Sequence, residues 1–388
     1  MQHERLPFFV PDIGEEEINA VTKVLQSGIL TGGANGGPQV NEFERKFAER
    51  FGNGFDAIAV SSCTIGMILA LKRLGVGSDN GDEVITTCLT FTATAEAIAA
   101  VGAKPVIVDI NPATLNWDWE QVYSRINAKT AALLPVHFAG LPVDMDLLRI
   151  ENAHGIAIVE DAAHALGSKF RGVPIGGHNF STTVFSFYPN KAMTTGEGGM
   201  IVTSKPTLMA DYRIVRLHGI YRSPDAMPWD YRVVEPGLKA NMDEISAAIG
   251  IAQLEKLEVG QLKRQQIADA YTKAFADLDV ELPPQPHPSD THAWHLYVLR
   301  LPSWRCLRRA TPTRNHFIQQ MDSFGIGTSV HYVPLCLHPQ WKKELDLHEA
   351  DFPHAMDYFR RAVSLPIYPK MTAQDVDRVI DTVRSLLA

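Results

Sequence analysis

Lys191 stands between an apolar run and a Gly-rich turn, in VFSFYPNKAMTTGEGGMIVT over residues 184–203. An amine at a strand end in a partly dry site has its ammonium form disfavoured and becomes a nucleophile. Taken singly, a lysine in such a loop also reads as a solvated surface group. Ser186, shortly before it, is placed to offer a hydroxyl to an anion. Asp161 belongs to a second segment, IAIVEDAAHALG over residues 156–167, where an apolar run ends in two carboxylates and passes into small residues. Ligands of open α/β sheets bind beyond the carboxyl ends of the strands. A carboxylate there either pairs with a cationic ring nitrogen or a metal, or caps the next helix. The third segment, SSCTIGMILA over residues 61–70, opens a helix with small hydroxyl residues. Free main-chain N–H groups and the helix dipole make such a start a phosphate cradle, aided by Ser62 and Thr64, with plain N-capping as the other reading. Phe91, in LTFTAT, follows the next apolar run and either stacks on a flat ligand or fills the core. A cradle, a stacking aromatic, a strand-end Asp and a later Lys after Ser together are what pyridoxal phosphate needs. Lys supplies the imine and Asp keeps the pyridine nitrogen protonated.

To converge, these groups must hang from one sheet. Short apolar, β-branched runs predict strands at 57–61, 83–87, 104–109, 131–136, 156–160, 183–186 and 199–203. Helical patterns fall between them at 64–74, 92–101, 117–125 and 144–154. Runs that are apolar almost throughout suit a parallel sheet covered on both faces, and the alternation predicts an α/β open sheet with right-handed crossovers. The glycines of residues 75–82 precede a strand instead of joining a strand to a helix, so they read as a turn; no GxGxxG follows the first strand, which ranks a nicotinamide dehydrogenase last. Residues 244–278 read as a long helix with Ile245, Ile249, Leu254 and Leu257 on one buried face. A Pro-rich break at 282–288, a strand at 296–301, a helix at 311–324, a strand at 327–331 and a final helix at 373–387 read as a smaller α+β domain. The expected division is 1–250 and 251–388.

The 388 residues carry 36 Lys plus Arg against 44 Asp plus Glu, a formal net charge of −8, spread without a basic stripe for nucleic acid or an anionic membrane. The start lacks the pattern of a signal peptide, and the longest mostly uncharged stretch, 84–95, is well short of the roughly 20 residues that span a bilayer. Cys63, Cys88, Cys306 and Cys336 form no CxxC pair. A reduced, cytoplasmic protein is expected. His292 and His295 stand at i and i+3 with no accompanying ligand set, so no metal is expected.

With these segments come SGILTGG, VNEFERKFAERFG, GDEVITTCLTFTATAEAI, PVHFAGLPVDM, GLKANMDEISAAIGIAQLEKL, HAWHLYVLRL, HYVPL and LPIYP, in order along nearly the whole chain. In this series the chain resembles the sugar aminotransferases of the DegT/DnrJ/EryC1/StrS family, fold-type I pyridoxal-phosphate enzymes. The resemblance implies a large domain with a mostly parallel mixed sheet sandwiched by helices, plus a smaller C-terminal α+β domain. It makes Lys191 the lysine that carries the cofactor, and Asp161 the partner of the pyridine nitrogen. His164 stands where many relatives carry Gln, near the ring hydroxyl, and Phe91 stacks on the ring. Cys63, Thr64 and Ser186 hold the phosphate. Family active sites are shared in homodimers, and Lys239 or Asn241 aligns with the side chain that reaches the neighbour's phosphate. Leu30, Thr31, Gly32, His331 and Tyr332 match positions lining the sugar site, although His331 also reads as a satisfied strand-end histidine. The loop between Gly219 and Gly237, with Trp229 and Tyr231, is placed over a neighbour's site.

A lysine at 191, where a few relatives that deoxygenate sugars carry His, favours transamination. The implied reaction passes an amino group from L-glutamate to a nucleotide-linked 4-keto-hexose, in amino-sugar synthesis for lipopolysaccharide or other surface glycans. The alternatives are a non-nucleotide keto-sugar, such as an eight-carbon acidic one, a related pyridoxal-phosphate reaction such as dehydration or epimerisation, and a non-catalytic regulator.

Overall fold

The computed structural model describes residues 5–33, 36–79, 81–223, 225, 227, 229–302 and 313–387. Seven strands form the central sheet in the order Asp56–Val60, Gly199–Thr203, Thr182–Ser186, Ala157–Asp161, Thr130–Leu133, Glu83–Thr87, Lys104–Val108. Pairings are parallel from Thr182–Ser186 outward to Lys104–Val108, and Gly199–Thr203 runs antiparallel to both of its neighbours. The mostly parallel mixed sheet is therefore present. The short hop from Ser186 through the Lys191 loop to Gly199 is what makes that one pairing antiparallel, since a parallel return needs a longer crossover.

Side chains alternate faces along each strand, and both faces are dry. Ala57, Ala59, Ile85, Leu133, Ile158, Phe185 and Val202 pack with Phe43, Phe47, Leu254 and Leu257 from helices Pro38–Phe51 and Glu244–Phe275. Ile58, Val60, Val84, Leu134, Val159, Val184 and Ile201 pack on the other face. Their partners are Met67, Leu69, Ile98 and Tyr212 from helices Cys63–Arg73, Ala93–Ala100 and Pro206–Val215.

A third cluster gathers Tyr271 and Phe275 at the end of the long helix with Trp294, Leu299, Phe317 and Val379. It covers the antiparallel pair Tyr297–Arg300 with Ala362–Leu365 and the helices Arg314–Ser323 and Ala373–Leu387. A fourth cluster joins Cys88, Ile107 and Phe138 to Leu335, Trp341 and Tyr358, so the C-terminal elements dock against the carboxyl end of the sheet.

Several local expectations are corrected. Residues 327–331 form no strand; Ser329 makes an isolated bridge to Ser364, and the chain turns into the cavity wall at His331. The helix expected from 117 starts at Trp119, because the Asp118 side chain caps it and Trp117 bridges to Ile110. The helix expected from 311 begins at Arg314 among the described residues, with Thr313 as its cap. Helices Glu15–Ser27, Pro38–Phe51, Pro206–Val215 and Pro353–Arg361 fall where the sequence pattern predicts no element. Cys306 lies outside the described residues. No helix among those described is long and apolar enough to cross a membrane.

One buried ion pair holds a helix to the sheet edge. Glu44, 3% exposed, accepts from Arg216 at 2.5 Å, from Arg213 at 2.8 Å and from the Ala59 N–H at 3.0 Å. Removing one partner of a buried pair leaves an uncompensated charge, which costs about 3–5 kcal/mol. Glu44→Ala is expected to lower the unfolding free energy in urea by that amount; a loss under about 1 kcal/mol would refute the assignment.

Candidate active site

A cavity of about 400 Å³ opens at the carboxyl end of the sheet, between the strand ends and the His331–Tyr332 segment. The helix Cys63–Arg73 begins there because Ser62, in extended conformation, takes the Ile65 N–H on its hydroxyl. The first-turn N–H groups of Cys63 and Thr64 belong to the set that no helical carbonyl can satisfy, and both residues line the cavity. Gly199 keeps that floor open, since a Cβ there would stand 2.7 Å from the Cys63 nitrogen. Ser186 ends its strand beside them.

Asp161, at the last position of its strand, is 6% exposed and lines the cavity. The Ala163 N–H donates to its Oδ1 at 3.1 Å and the Thr94 hydroxyl to its Oδ2 at 2.8 Å. Glu160 points to the opposite face. There, fully buried, it accepts from His137 Nε2 at 2.7 Å, from Thr183 at 2.8 Å and from Ser181. Burial pushes that carboxyl up, but the His137 bond and the other donors outweigh it and leave it at about 2. The Val143 N–H occupies His137 Nδ1, so Nε2 carries the proton.

Lys191 sits in a loop closed by hydrogen bonds from its own N–H to the Tyr188 carbonyl at 2.9 Å and from the Thr195 N–H to the Phe187 carbonyl at 3.0 Å. Burial lowers its ammonium from the ordinary range to about 8, against the opposing pull of Asp161 and Cys63. Burial in turn raises the Cys63 thiol well above its usual range, with the Asp161 charge adding to it.

His164 is held neutral. The Ala139 N–H donates to its Nδ1 at 3.2 Å, so Nε2 bears the proton and faces the Tyr332 hydroxyl at 2.8 Å. Burial, followed by the Lys191 and His331 charges, pushes this imidazole well down. His331 lines the cavity but is tied through Nδ1 to the Ser364 hydroxyl at 2.8 Å, and burial lowers it to about 3. Phe91 is 58% exposed at the mouth, its ring centroid 5.9 Å from that of Tyr332. An exposed aromatic beside a cavity is suited to cover a planar ligand.

Ten of the expected residues therefore share one cavity: Ser62, Cys63, Thr64, Phe91, Asp161, His164, Ser186, Lys191, His331 and Tyr332. Leu30, Thr31, Gly32, Lys239 and Asn241 do not line it. Lys239 bonds Asn241, whose amide reaches the Thr31 hydroxyl at 3.4 Å, and the Leu30 carbonyl accepts the Glu244 N–H at 3.0 Å. This group runs beside the strand end that leads to the cradle, since the Ser61 N–H donates to the Ala240 carbonyl at 2.8 Å. Trp229 and Tyr231 are 72% and 52% exposed. His292 stacks on Trp294 and His295 lies 4.3 Å from the His164 ring; no cluster of three or more metal-ligating side chains occurs among the described residues.

The sequence pattern of the DegT/DnrJ/EryC1/StrS aminotransferase family matches residues 11–384. The chain belongs to this family. It is 42% identical over 389 residues to the spore coat polysaccharide biosynthesis protein SpsC of Bacillus subtilis (strain 168), across 98% of this chain and 97% of that one. Its fold is similar to the PLP-form of the putative sugar aminotransferase Spr1654 from Streptococcus pneumoniae. There the TM-score is 0.88 and the identity 32%, over 98% of each chain. It is also similar to Helicobacter pylori PseC, an aminotransferase involved in the biosynthesis of pseudoaminic acid, at a TM-score of 0.89 and 26% identity over 99% of each chain.

As a member of the DegT/DnrJ/EryC1/StrS family the protein is a pyridoxal-phosphate-dependent sugar aminotransferase. The residues present fit that cofactor: a helix N-terminus with an open floor for the phosphate, a carboxylate across the cavity, and a desolvated amine on its wall. Thr90 and Thr94 were missed from the sequence. Their signal was present in LTFTAT, two hydroxyls four residues apart at a helix start, but nothing local says which carboxylate they meet.

The lowered amine predicts a pH profile. With a pKa of about 8, about one Lys191 in ten is neutral at pH 7, against about one in several thousand for an ordinary lysine. Capture of pyridoxal phosphate by the apo-enzyme, followed by stopped-flow absorbance, is expected to quicken from pH 6 and level off above about 8. A rate still climbing at pH 10 would contradict the shift. Because the folded amine binds its proton less tightly than the unfolded one, the group's contribution to stability is unfavourable below about pH 8. That penalty is relieved as pH rises toward 10.5, where an ordinary lysine loses its proton.

Proposed function

We propose that the protein transfers an amino group from L-glutamate to a nucleotide-linked 4-keto-hexose in amino-sugar synthesis for a surface polysaccharide. The reading is supported most by the desolvated Lys191 amine facing the same cavity as Asp161. The polysaccharide context draws on SpsC, a spore coat polysaccharide biosynthesis protein.

Pyridoxal phosphate, when bound, supplies an aldehyde carbon that exchanges amines and a ring that takes up the electrons left when the donor's α-proton departs. The Cys63 and Thr64 N–H groups and the Ser186 hydroxyl hold the phosphate. Asp161 would accept a hydrogen bond from the protonated ring nitrogen and so keep the proton on that nitrogen. His164 stands by the ring hydroxyl with its one Nε2 proton shared with Tyr332. Phe91 covers the ring and excludes water. Lys191 Nζ takes the α-proton of the donor and returns a proton on the other side of the exchange, a task suited to an amine near neutrality. Lys239, Asn241 and Leu30 to Gly32 complete the site of a second copy in a cytoplasmic homodimer, with Trp229 and Tyr231 laid over that neighbour.

Borohydride reduction of the holoenzyme followed by peptide mass analysis is expected to place the cofactor on Lys191. A panel of keto-sugars with L-glutamate, followed by 2-oxoglutarate release, is expected to single out a nucleotide-linked 4-keto-hexose. An unlabelled Lys191 overturns the reading, and turnover confined to free keto-sugars overturns its substrate.

A further inference from the structure

The floor of the cavity contains a hydroxyl chain that the reaction outlined above does not use. Thr94 is fully buried in the first turn of helix Ala93–Ala100, on a different crossover from Asp161. Its Oγ1 lies 2.8 Å from Asp161 Oδ2 and 2.7 Å from Thr90 Oγ1. A hydroxyl has one proton to give. An ionised carboxylate only accepts, so Thr94 spends its proton on Asp161, and Thr90 must donate to Thr94. The chain therefore runs one way, from Thr90 through Thr94 to Asp161. Thr90 is 2% exposed and itself lines the cavity, so the chain begins and ends at the wall that faces a ligand.

Each carboxylate oxygen of Asp161 thus has one fixed donor, the Ala163 N–H on Oδ1 and the Thr94 hydroxyl on Oδ2. A carboxylate on a two-bond side chain rotates about its terminal torsion with little resistance. The Ala163 bond alone leaves that rotation open. The Thr94 bond, made from a helix that cannot move independently of the core, closes it.

We infer that Thr94 is a positioning residue for the reaction, orienting the Asp161 carboxylate toward the cofactor's ring nitrogen, with Thr90 as the donor that completes Thr94. The inference rests on the proposed pairing of Asp161 with that nitrogen. Charge-assisted hydrogen bonds in a dry site are stronger than neutral ones and polarise the bond behind them. Losing the Thr94 bond frees the carboxylate to turn and so loosens its alignment on the ring.

The test uses three variants of the holoenzyme. Thr94→Val keeps the shape and removes the hydroxyl, Thr94→Ser keeps the hydroxyl, and Thr90→Val removes only the outer donor. For Thr94→Val we expect kcat of amino transfer to fall about tenfold with the donor KM within about twofold, and the cofactor Kd to rise about tenfold. Thr94→Ser is expected to restore both to within about twofold, and Thr90→Val to fall between the two. The melting temperature of each apo-protein is read alongside. A purely structural threonine would move the melting temperature and leave kcat and Kd alone.

Unchanged kcat and Kd in Thr94→Val overturn the inference, as do equal losses in Thr94→Val and Thr94→Ser. Should Thr94→Val fail to fold, wild-type values in Thr90→Val overturn it as well. If borohydride leaves wild-type Lys191 unlabelled, the parent reading falls. If Lys191 is labelled and Thr94→Val behaves as wild type, only this inference does.

Discussion

Replacing Lys191 with alanine is expected to slow amino transfer by about 10⁴-fold or more, measured as 2-oxoglutarate release in single-turnover and steady-state assays. In the proposed mechanism the side chain has two tasks, carrying the cofactor and moving the α-proton, and alanine removes both at once. The fold has no reason to suffer. The loop that presents residue 191 is closed by main-chain hydrogen bonds at Tyr188 and Phe187 and by the Thr194 hydroxyl on the Phe187 carbonyl, none of which uses the amine. A desolvated amine is removed as well, so the melting temperature is expected to hold or rise at pH 7. The phosphate cradle and Asp161 remain, and the variant is expected to retain the cofactor without a covalent link. A small primary amine added in excess is expected to restore part of the rate. Full activity in Lys191→Ala would remove the foundation of the mechanism.

The second large effect is at Asp161. Asparagine has nearly the same shape but no charge, and it presents two N–H donors where the carboxylate only accepts. One of those donors must then face either the Ala163 N–H or the Thr94 hydroxyl, both of which are donors in the native arrangement. We expect Asp161→Asn to lower kcat by about 10²–10⁴-fold, because a neutral group no longer holds a proton on the ring nitrogen. The donor KM is expected to change far less than kcat. Asp161→Glu keeps the charge but lengthens the side chain, and it is expected to recover part of the loss. If Asp161→Asn kept wild-type kcat, the ring nitrogen would have to be held by another group.

These two residues were readable in the sequence for the same reason. Each lies at the junction of an apolar run with small residues, and a strand end followed by a turn is a contiguous pattern. The helix start at residues 62–64 was legible in the same way, from a capping serine ahead of an apolar periodic run. By contrast, the motif VED does not say which acid faces the ligand. Alternation along a strand puts the two on opposite sides, but only the packing of the sheet decides that Glu160 meets His137, Ser181 and Thr183 while Asp161 meets the cavity.

Local pattern also misplaced the segment at 327–331. Its residues suit a strand, but among the described residues the segment meets the sheet edge once, at Ser364, before the chain is drawn into the cavity wall. The two N-terminal helices were missed for the opposite reason. Glycines and prolines surround them, and the burial of the second depends on Phe43 and Phe47 meeting the far helix Glu244–Phe275 and the sheet.

Composition and periodicity alone were enough for an α/β sheet and for placing candidate groups at its strand ends, because strand burial, helix period and turn residues are properties of neighbouring positions. Contacts between distant positions were decided by the fold. Thr94 reaches Asp161 across 67 residues, and His164 reaches Tyr332 across 168. Hydrogen bonds are short and directional, so such pairs exist only once crossovers and docked helices have set each backbone to within a fraction of an ångström.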